Sequence, residues 1–340
     1  MQVTGCANVM DHPNSSNDID LSEFPFFHIS DDEIPVTDEG HDAAKSGSLL
    51  SFNMFGTCSL KNVKHIIRQN RCLKPLRLHL LKHVLNLCRN AGLEPFVYGG
   101  TALSVFRENG KFIPHDTDID LGILEFDSNG FGIYTRLMQY CLKNRISIYG
   151  IGNLDDSILL NPDSDVYIDF SASVSKRVWL KAKECNVVES VEEFPYDGVD
   201  CKRIKFFFTS NGLLKACKLL KMNLRTARHV LSDPCLAHVD LFTLSHVDSS
   251  EQEKGLQALR VNWNLPGIYD CKRKLFPYSS FFPLKQCKFE DLDMLAPYDL
   301  KTYLSIEYGY LGRDAVYSSR EQLYVKIPAN YSTHLPSYMM

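Results

Sequence analysis

The sequence predicts an α/β (α+β) protein in which a mixed sheet is flanked by helices. Three observations carry that expectation. Residues 76–124 read in the order helix, strand, Gly-Gly turn, helix, strand. Residues 130–244 alternate short apolar, strand-like runs with helical patterns. The composition, 44% hydrophobic and 23% charged over 340 residues, is that of a globular protein with room for a large core.

Each element has its own signal. Leu76, Leu80, Val84, Leu87 and Cys88 recur at helical spacing, and Gly92 stands where a helix ends in left-handed backbone. Pro95 opens a strand at Phe96-Val97-Tyr98. Gly99-Gly100 turns the chain into a short helix, Thr101 to Glu108, and Asn109-Gly110 is a turn. A strand follows at Asp118–Leu124. Further strands are expected at Ser147–Ile151, Val166–Phe170, Arg203–Phe208 and Ala237–Leu244. Leu213–Leu231 reads as one amphipathic helix, and a last helix spans about Leu300–Tyr308, closed by Gly309. The last thirty residues read as irregular. Residues 1–45 form an acidic arm expected to be disordered, with one apolar patch, Phe24–Ile29, suited to docking on the body.

The stretch from Phe96 to Leu124 bears chemistry. Asp118 and Asp120 are two apart on an expected strand, so their carboxylates share one face, while Ile119 and Leu121 face a core. That is half of a divalent-cation site, and Mg²⁺ or Mn²⁺ is the expected cofactor. Gly99 and Gly100 let backbone N–H groups approach a phosphate at a helix N-terminus, and Arg107 reaches toward it from the same helix. A third carboxylate completes such a site. Asp240 in Ala-His-Val-Asp-Leu-Phe and Asp169 in Val-Tyr-Ile-Asp-Phe both fit, each a lone acid among apolar residues. His238, two before Asp240, is either a packed strand histidine or part of the site. Phosphoryl or nucleotidyl transfer is the chemistry that such groups serve.

Charge sets limits. Residues 1–45 hold ten acids and one base, leaving 36 bases against 31 acids elsewhere. A body this mildly basic suits an anionic small ligand and argues against a nucleic-acid surface. The interval 202–228 holds eight bases and no acid, with Lys218, Lys221, Arg225 and Arg228 expected on one helical face, either solvated or touching an anion. The first thirty residues lack the basic and apolar regions of a signal peptide, and no apolar run nears the roughly 18–20 residues of a membrane span. Eleven scattered cysteines without a C-x-x-C point to free thiols in a reducing, cytoplasmic setting.

The segment YGGTALSVFRENGKFIPHDTDIDLGI resembles the LicD/fukutin family, whose members carry a similar Gly-rich turn, an arginine and a phrase like I-P-W-D-x-D-I-D-x-G. HVDLF at 238–242 is similar to a later strand of that family, and FFPLKQCKFEDLDMLAPYDLKTYLSIEYG at 281–309 to its C-terminal block. The resemblance implies a nucleotidyltransferase-like (polymerase-beta-like) domain over residues 46–325, with an insertion at about 130–235 and an irregular tail at 326–340. It implies transfer of a phospho-alcohol group, of phosphocholine or alditol phosphate type, from a CDP-linked donor to a glycan or glycoconjugate. By position, Asp118, Asp120 and Asp240 would be the metal and catalytic carboxylates, and Gly99, Gly100, Thr101 and Arg107 would hold the donor's phosphates. Asp116 matches the acid that opens the family phrase, and His115 stands where the family often has an aromatic residue. Animal members lie in the Golgi membrane, although this chain shows no anchor. Two alternatives remain: transfer of NMP from an NTP to a protein or small molecule, and a non-enzymatic nucleotide-binding or scaffold protein of the same fold.

Overall fold

The computed structural model describes residues 50–53, 56–58, 60–113, 116–125, 132–149, 161, 163–170, 203–247, 257–262, 274–312, 315–318 and 323–326. The acidic arm with its apolar patch, His115 and the tail beyond residue 326 lie outside them.

β1 (Leu50–Asn53) and β2 (Gly56–Cys58) form an antiparallel ribbon. Helix α1 (Leu60–Asn90) follows, and Leu73, Leu76, Leu80, Leu81, Val84, Leu87 and Cys88 form its buried stripe at helical spacing. Gly92, at φ 71°, closes it, and the Leu93 N–H reaches back to the Cys88 carbonyl at 2.8 Å. Next come β3 (Phe96–Val97), α2 (Gly99–Arg107), β4 (Asp120–Leu124), α3 (Ile133–Lys143), β5 (Ser147–Tyr149), β6 (Val166–Asp169) and β7 (Arg203–Phe208). Helices α4 (Ser210–Leu219) and α5 (Leu224–Ser232) and a 3₁₀ turn, Pro234–Leu236, lead into β8 (His238–His246). β9 (Ala258–Val261), β10 (Phe276–Pro277), α6 (Tyr278–Phe281), β11 (Lys285–Phe289), β12 (Leu292–Ala296), α7 (Leu300–Tyr308), β13 (Ala315–Ser318) and β14 (Leu323–Lys326) complete the order.

The result is a mixed α/β fold around one ten-stranded sheet, ordered β11-β12-β3-β4-β8-β7-β6-β5, with β9 on β8 and β10 on β9. The pairs β12/β3, β4/β8 and β5/β6 are parallel, and the rest are antiparallel. The segment 130–235, read as an insertion, supplies β5, β6 and β7 to this same sheet. β8 lies at the centre, and its first seven residues are buried, as expected of a strand covered on both faces. Helix α1 crosses one face, where His79 stacks on Phe208 of β7. Helices α2 and α7 pack together on the other. There Tyr98, Phe242, Phe276, Phe281 and Tyr303 form a chain of ring contacts with centroids 4.8–5.7 Å apart.

Three expectations change. The single helix over 213–231 is two helices. Lys221 turns left-handed at φ 54°, and the Asn223 side chain accepts the Thr226 N–H at 2.8 Å, starting α5 afresh. Lys218 and Lys221 therefore do not share a helical face with Arg225 and Arg228. The expected strand from Asp118 begins at Asp120, with Asp118 in the approach to it. Finally, the end of the chain is not irregular throughout, because β13 and β14 pair antiparallel. Among the described residues, no helix is long and apolar enough to cross a membrane.

Candidate metal centre

Two segments deliver the acids, and each is held from below. After α2 the chain reverses at Asn109 and Gly110, both left-handed, with the Lys288 carbonyl where a Gly110 side chain would begin. Phe112 and Ile113 are buried and anchor the approach, and the Asp116 N–H bonds to the Ile113 carbonyl at 3.0 Å. Ile119 is buried, and its carbonyl accepts the Asp240 N–H at 2.9 Å, so the β4/β8 pairing reaches back beyond the strand proper. The second segment leaves the 3₁₀ turn, where Asp233 caps Cys235, and enters β8 at His238.

Register then builds a row. Asp120 lies opposite Asp240, Asp240 opposite Lys205, and Lys205 opposite Asp169. Residues opposite one another in a sheet project from the same face. This places Asp240 directly beside Asp120. Asp169 lies two strands beyond Asp240, roughly 10 Å away at ordinary strand spacing, with Lys205 in between. Of the two candidates for third carboxylate, the register brings Asp240 to the aspartate pair.

The ligand atoms that converge belong to Asp118, His238 and Asp240, one from each, all within 4.8 Å of one another. His238 Nδ1 lies 2.6 Å from the Cys235 carbonyl. A carbonyl only accepts, so Nδ1 carries the proton and Nε2 keeps its lone pair, 3.6 Å from Asp240 Oδ1. Burial, then the Lys205 charge, lower the His238 pKa against the pull of Asp240 and Asp118. The ring is thus a neutral nitrogen donor. Asp240 is buried, with Lys205 Nζ 3.4 Å from its Oδ1.

Asp120 turns elsewhere. Its Oδ2 accepts the Gly100 N–H at 3.2 Å, and its own N–H bonds to Thr101 Oγ1 at 2.9 Å. The Gly99 N–H bonds to the Tyr303 hydroxyl at 2.9 Å. The first turn of α2 therefore already has protein partners for Gly99 and Gly100. The glycines are explained by what stands against them: a side chain at Gly99 would start inside the Asp120 carboxylate, and one at Gly100 inside that of Asp116. Arg107 is at the far end of α2, about 12 Å along the axis from Gly99, with its Nε 2.7 Å from Glu108.

Arg77, not singled out from the sequence, lies beneath the acids. It is 1% exposed. Its Nε donates to the Leu236 carbonyl at 3.0 Å and its Nη1 to Asn70 Oδ1 at 2.8 Å and the Asp116 carbonyl at 3.4 Å. One guanidinium thus ties together the two segments that carry the site. Burial lowers its pKa to about 10 against the charges of Asp118 and Asp116, so it stays charged. A signal existed: Leu73, Arg77, Leu80 and Val84 share one helical stripe, so Arg77 falls on the buried face.

Among the described residues, Asp116, Asp118, Asp120 and Asp240 stand with Arg77 and Lys205, four acids against two cations. Burial, then the Asp118 charge, raise the pKa values of Asp116 and Asp120 well above the ordinary range. A divalent cation bound there would supply positive charge. Two carboxylates and one imidazole suit Mn²⁺ and similar ions directly, and Mg²⁺ with water completing its shell. No protein-family model matches the chain, and no curated protein matches it.

Proposed function

We propose that this protein is a metal-dependent transferase with a nucleotidyltransferase-like core. It moves a phospho-alcohol group from a CDP-linked donor to a glycan or glycoconjugate. The observation that carries the metal-dependent reading is the convergence of Asp118, His238 and Asp240 beside Asp120. The choice of donor and acceptor class rests on the resemblance to the LicD/fukutin family. It is supported by the meeting of the three resembling blocks: Asp240 lies opposite Asp120, and Tyr303 of the C-terminal block holds the Gly99 N–H.

In this mechanism Asp118, His238 and Asp240 would hold the cation, which would supply positive charge to the donor's diphosphate. Lys205 adds a positive group beside it, and Arg77 keeps both acid-bearing segments in place. The acceptor hydroxyl attacks the phosphorus distal to the nucleoside. Its new P–O bond forms as the bond to CMP breaks, and the hydroxyl proton passes to Asp120 or Asp240.

The test is calorimetry with Mn²⁺, Mg²⁺ and CDP-choline or a CDP-alditol, followed by an assay for CMP release. The reading expects metal-dependent donor binding and CMP release, both lost in Asp118→Asn/Asp240→Asn. Unchanged metal binding in that variant would overturn the centre. Label transferred from an NTP as NMP, with CDP-alcohols inert, would replace the reaction by nucleotidyl transfer.

A further inference from the structure

In the C-terminal half of α1, His79 and His83 stand one turn apart on one side of the helix. They lie on the sheet face opposite the acid row, where His79 stacks on Phe208 with centroids 6.2 Å apart and planes 16° apart. That contact fixes one ring. The two rings meet edge to face, with centroids 4.8 Å apart, and their Nε2 atoms are 3.2 Å apart. Both residues are half-buried, so one side of the pair stays open.

The separation matches the bite of a chelate. With zinc–nitrogen bonds of about 2.0–2.1 Å, nitrogens 3.2 Å apart subtend roughly 100° at the metal, close to tetrahedral. Histidines four apart on a helix are the spacing at which two imidazoles share one zinc. Burial, then the charges of His83 and Lys82, lower the His79 pKa, which keeps its lone pair available at neutral pH. Asp165 lies near enough for its charge to act on His79, while its Oδ1 is held by Lys215 at 2.8 Å.

We propose that His79 and His83 form a second metal site, a two-histidine clip for a borderline divalent cation such as Zn²⁺, Cu²⁺ or Ni²⁺. Its remaining positions are open to water or to a ligand from another molecule. The clip contains no carboxylate, so it discriminates against Mg²⁺ and Ca²⁺. It is independent of the transferase reading.

The test uses the full chain carrying Asp118→Ala/His238→Ala/Asp240→Ala, so that the carboxylate centre cannot compete. Cu²⁺ is added at one equivalent and the coordinated nitrogens are counted by electron paramagnetic resonance. Zn²⁺ is titrated with and without His83→Ala, with circular dichroism confirming the fold. Two equatorial imidazole nitrogens in the parent, and a loss of Zn²⁺ affinity of roughly tenfold or more in the variant, are expected. Fewer than two nitrogens in the parent, or Zn²⁺ affinity within twofold in a folded variant, would reduce the pair to a histidine–histidine hydrogen bond. The nitrogen count needs no variant of His79 or His83, so it decides the matter even where His83→Ala fails to fold.

Discussion

Strands β4 and β8 run side by side, and polar clusters stand at both of their ends. At one end Asp118, Asp120 and Asp240 crowd together with Asp116. At the other, the single buried carboxylate of Glu125 accepts hydrogen bonds from Ser245 Oγ and from Asn262 Nδ2, the latter at 2.9 Å. Asn262 also reaches Thr243 Oγ1 at 3.1 Å, and Tyr134 donates to the same oxygen at 3.1 Å. Both clusters are acidic and close to buried. One is completed by hydroxyl and amide donors from the chain itself. The other sets four acids against two cations among the described residues, the contrast on which the proposed metal site rests.

The sharpest way to break this contrast is to remove a carboxylate at each end. Asp118→Asn and Asp240→Asn are expected to abolish Mn²⁺ binding and to cut turnover by about a thousandfold or more. Calorimetry and CMP release measure the two losses, and Glu125→Gln serves as the control, with Mn²⁺ affinity held within twofold. Loss of Mn²⁺ binding in Glu125→Gln alone would mean that the two ends had been assigned the wrong way round.

Arg77→Met comes next. It leaves the Leu236 carbonyl without its buried donor, leaves the Asp116 carbonyl to Asn70 alone and removes the guanidinium charge that acts on Asp116, so a loss of about 3 kcal/mol is expected in urea unfolding. Arg77→Lys should recover part of the stability but not the bridge between Asp116 and Leu236. Its Mn²⁺ affinity should therefore stay below that of the parent. Parent-like affinity in the lysine variant would confine Arg77 to a general packing role.

Glu125→Ala, at the completed end, is expected to cost about 1–3 kcal/mol, because the half-buried donors of Ser245 and Asn262 lose a buried acceptor. The smallest effect is one of pH. Asp116 and Asp120 have raised native pKa values, so their contribution is complete below the ordinary aspartate range and is lost as pH rises through the raised values. Metal-free protein should lose stability on that limb, and Mn²⁺ should remove the loss. Glu290 runs the other way. Burial pushes its pKa up, but Lys74, the Phe112 N–H and Lys111 bring it below the usual value, so its contribution is lost as pH falls through the lowered one. Urea midpoints across pH should flatten above the ordinary aspartate range in Asp120→Asn and on the acid side in Glu290→Gln. An unflattened upper limb in Asp120→Asn would mean that Asp120 does not drive the loss on that limb.

The site was legible where chemistry stands out against its neighbours. Asp118 and Asp120 stood out by their spacing behind a Gly-Gly turn, and Asp240 as a lone acid among apolar residues, a description that Asp169 met equally. β7 and α7 occur over the residues expected, because apolar runs and a terminal glycine mark their limits. Choosing Asp240 over Asp169 needed the strand order, a long-range property absent from local pattern. Arg77 was hidden for a different reason: an arginine in a helix reads as a solvated face, and only its place on the leucine stripe says otherwise. The β11/β12 hairpin also escaped, since Lys285, Gln286 and Asp293 are exposed there and no continuous apolar run survives. His238 was seen but not ranked, because its role depends on a carbonyl three residues back that fixes which nitrogen is free.

The fit of two carboxylates into the space of two absent side chains bears on descent. Gly99 can drift to alanine only if Asp120 withdraws, and Gly100 only if Asp116 does. Each acid and its glycine therefore form one heritable unit, although they lie 16 and 21 positions apart in the chain. Relatives of this protein should keep both pairs or lose a pair together, and a lineage that discards the acids frees the helix start to vary. The state of those four positions in any distant sequence is thus a compact record of whether the close approach of helix and acids was kept.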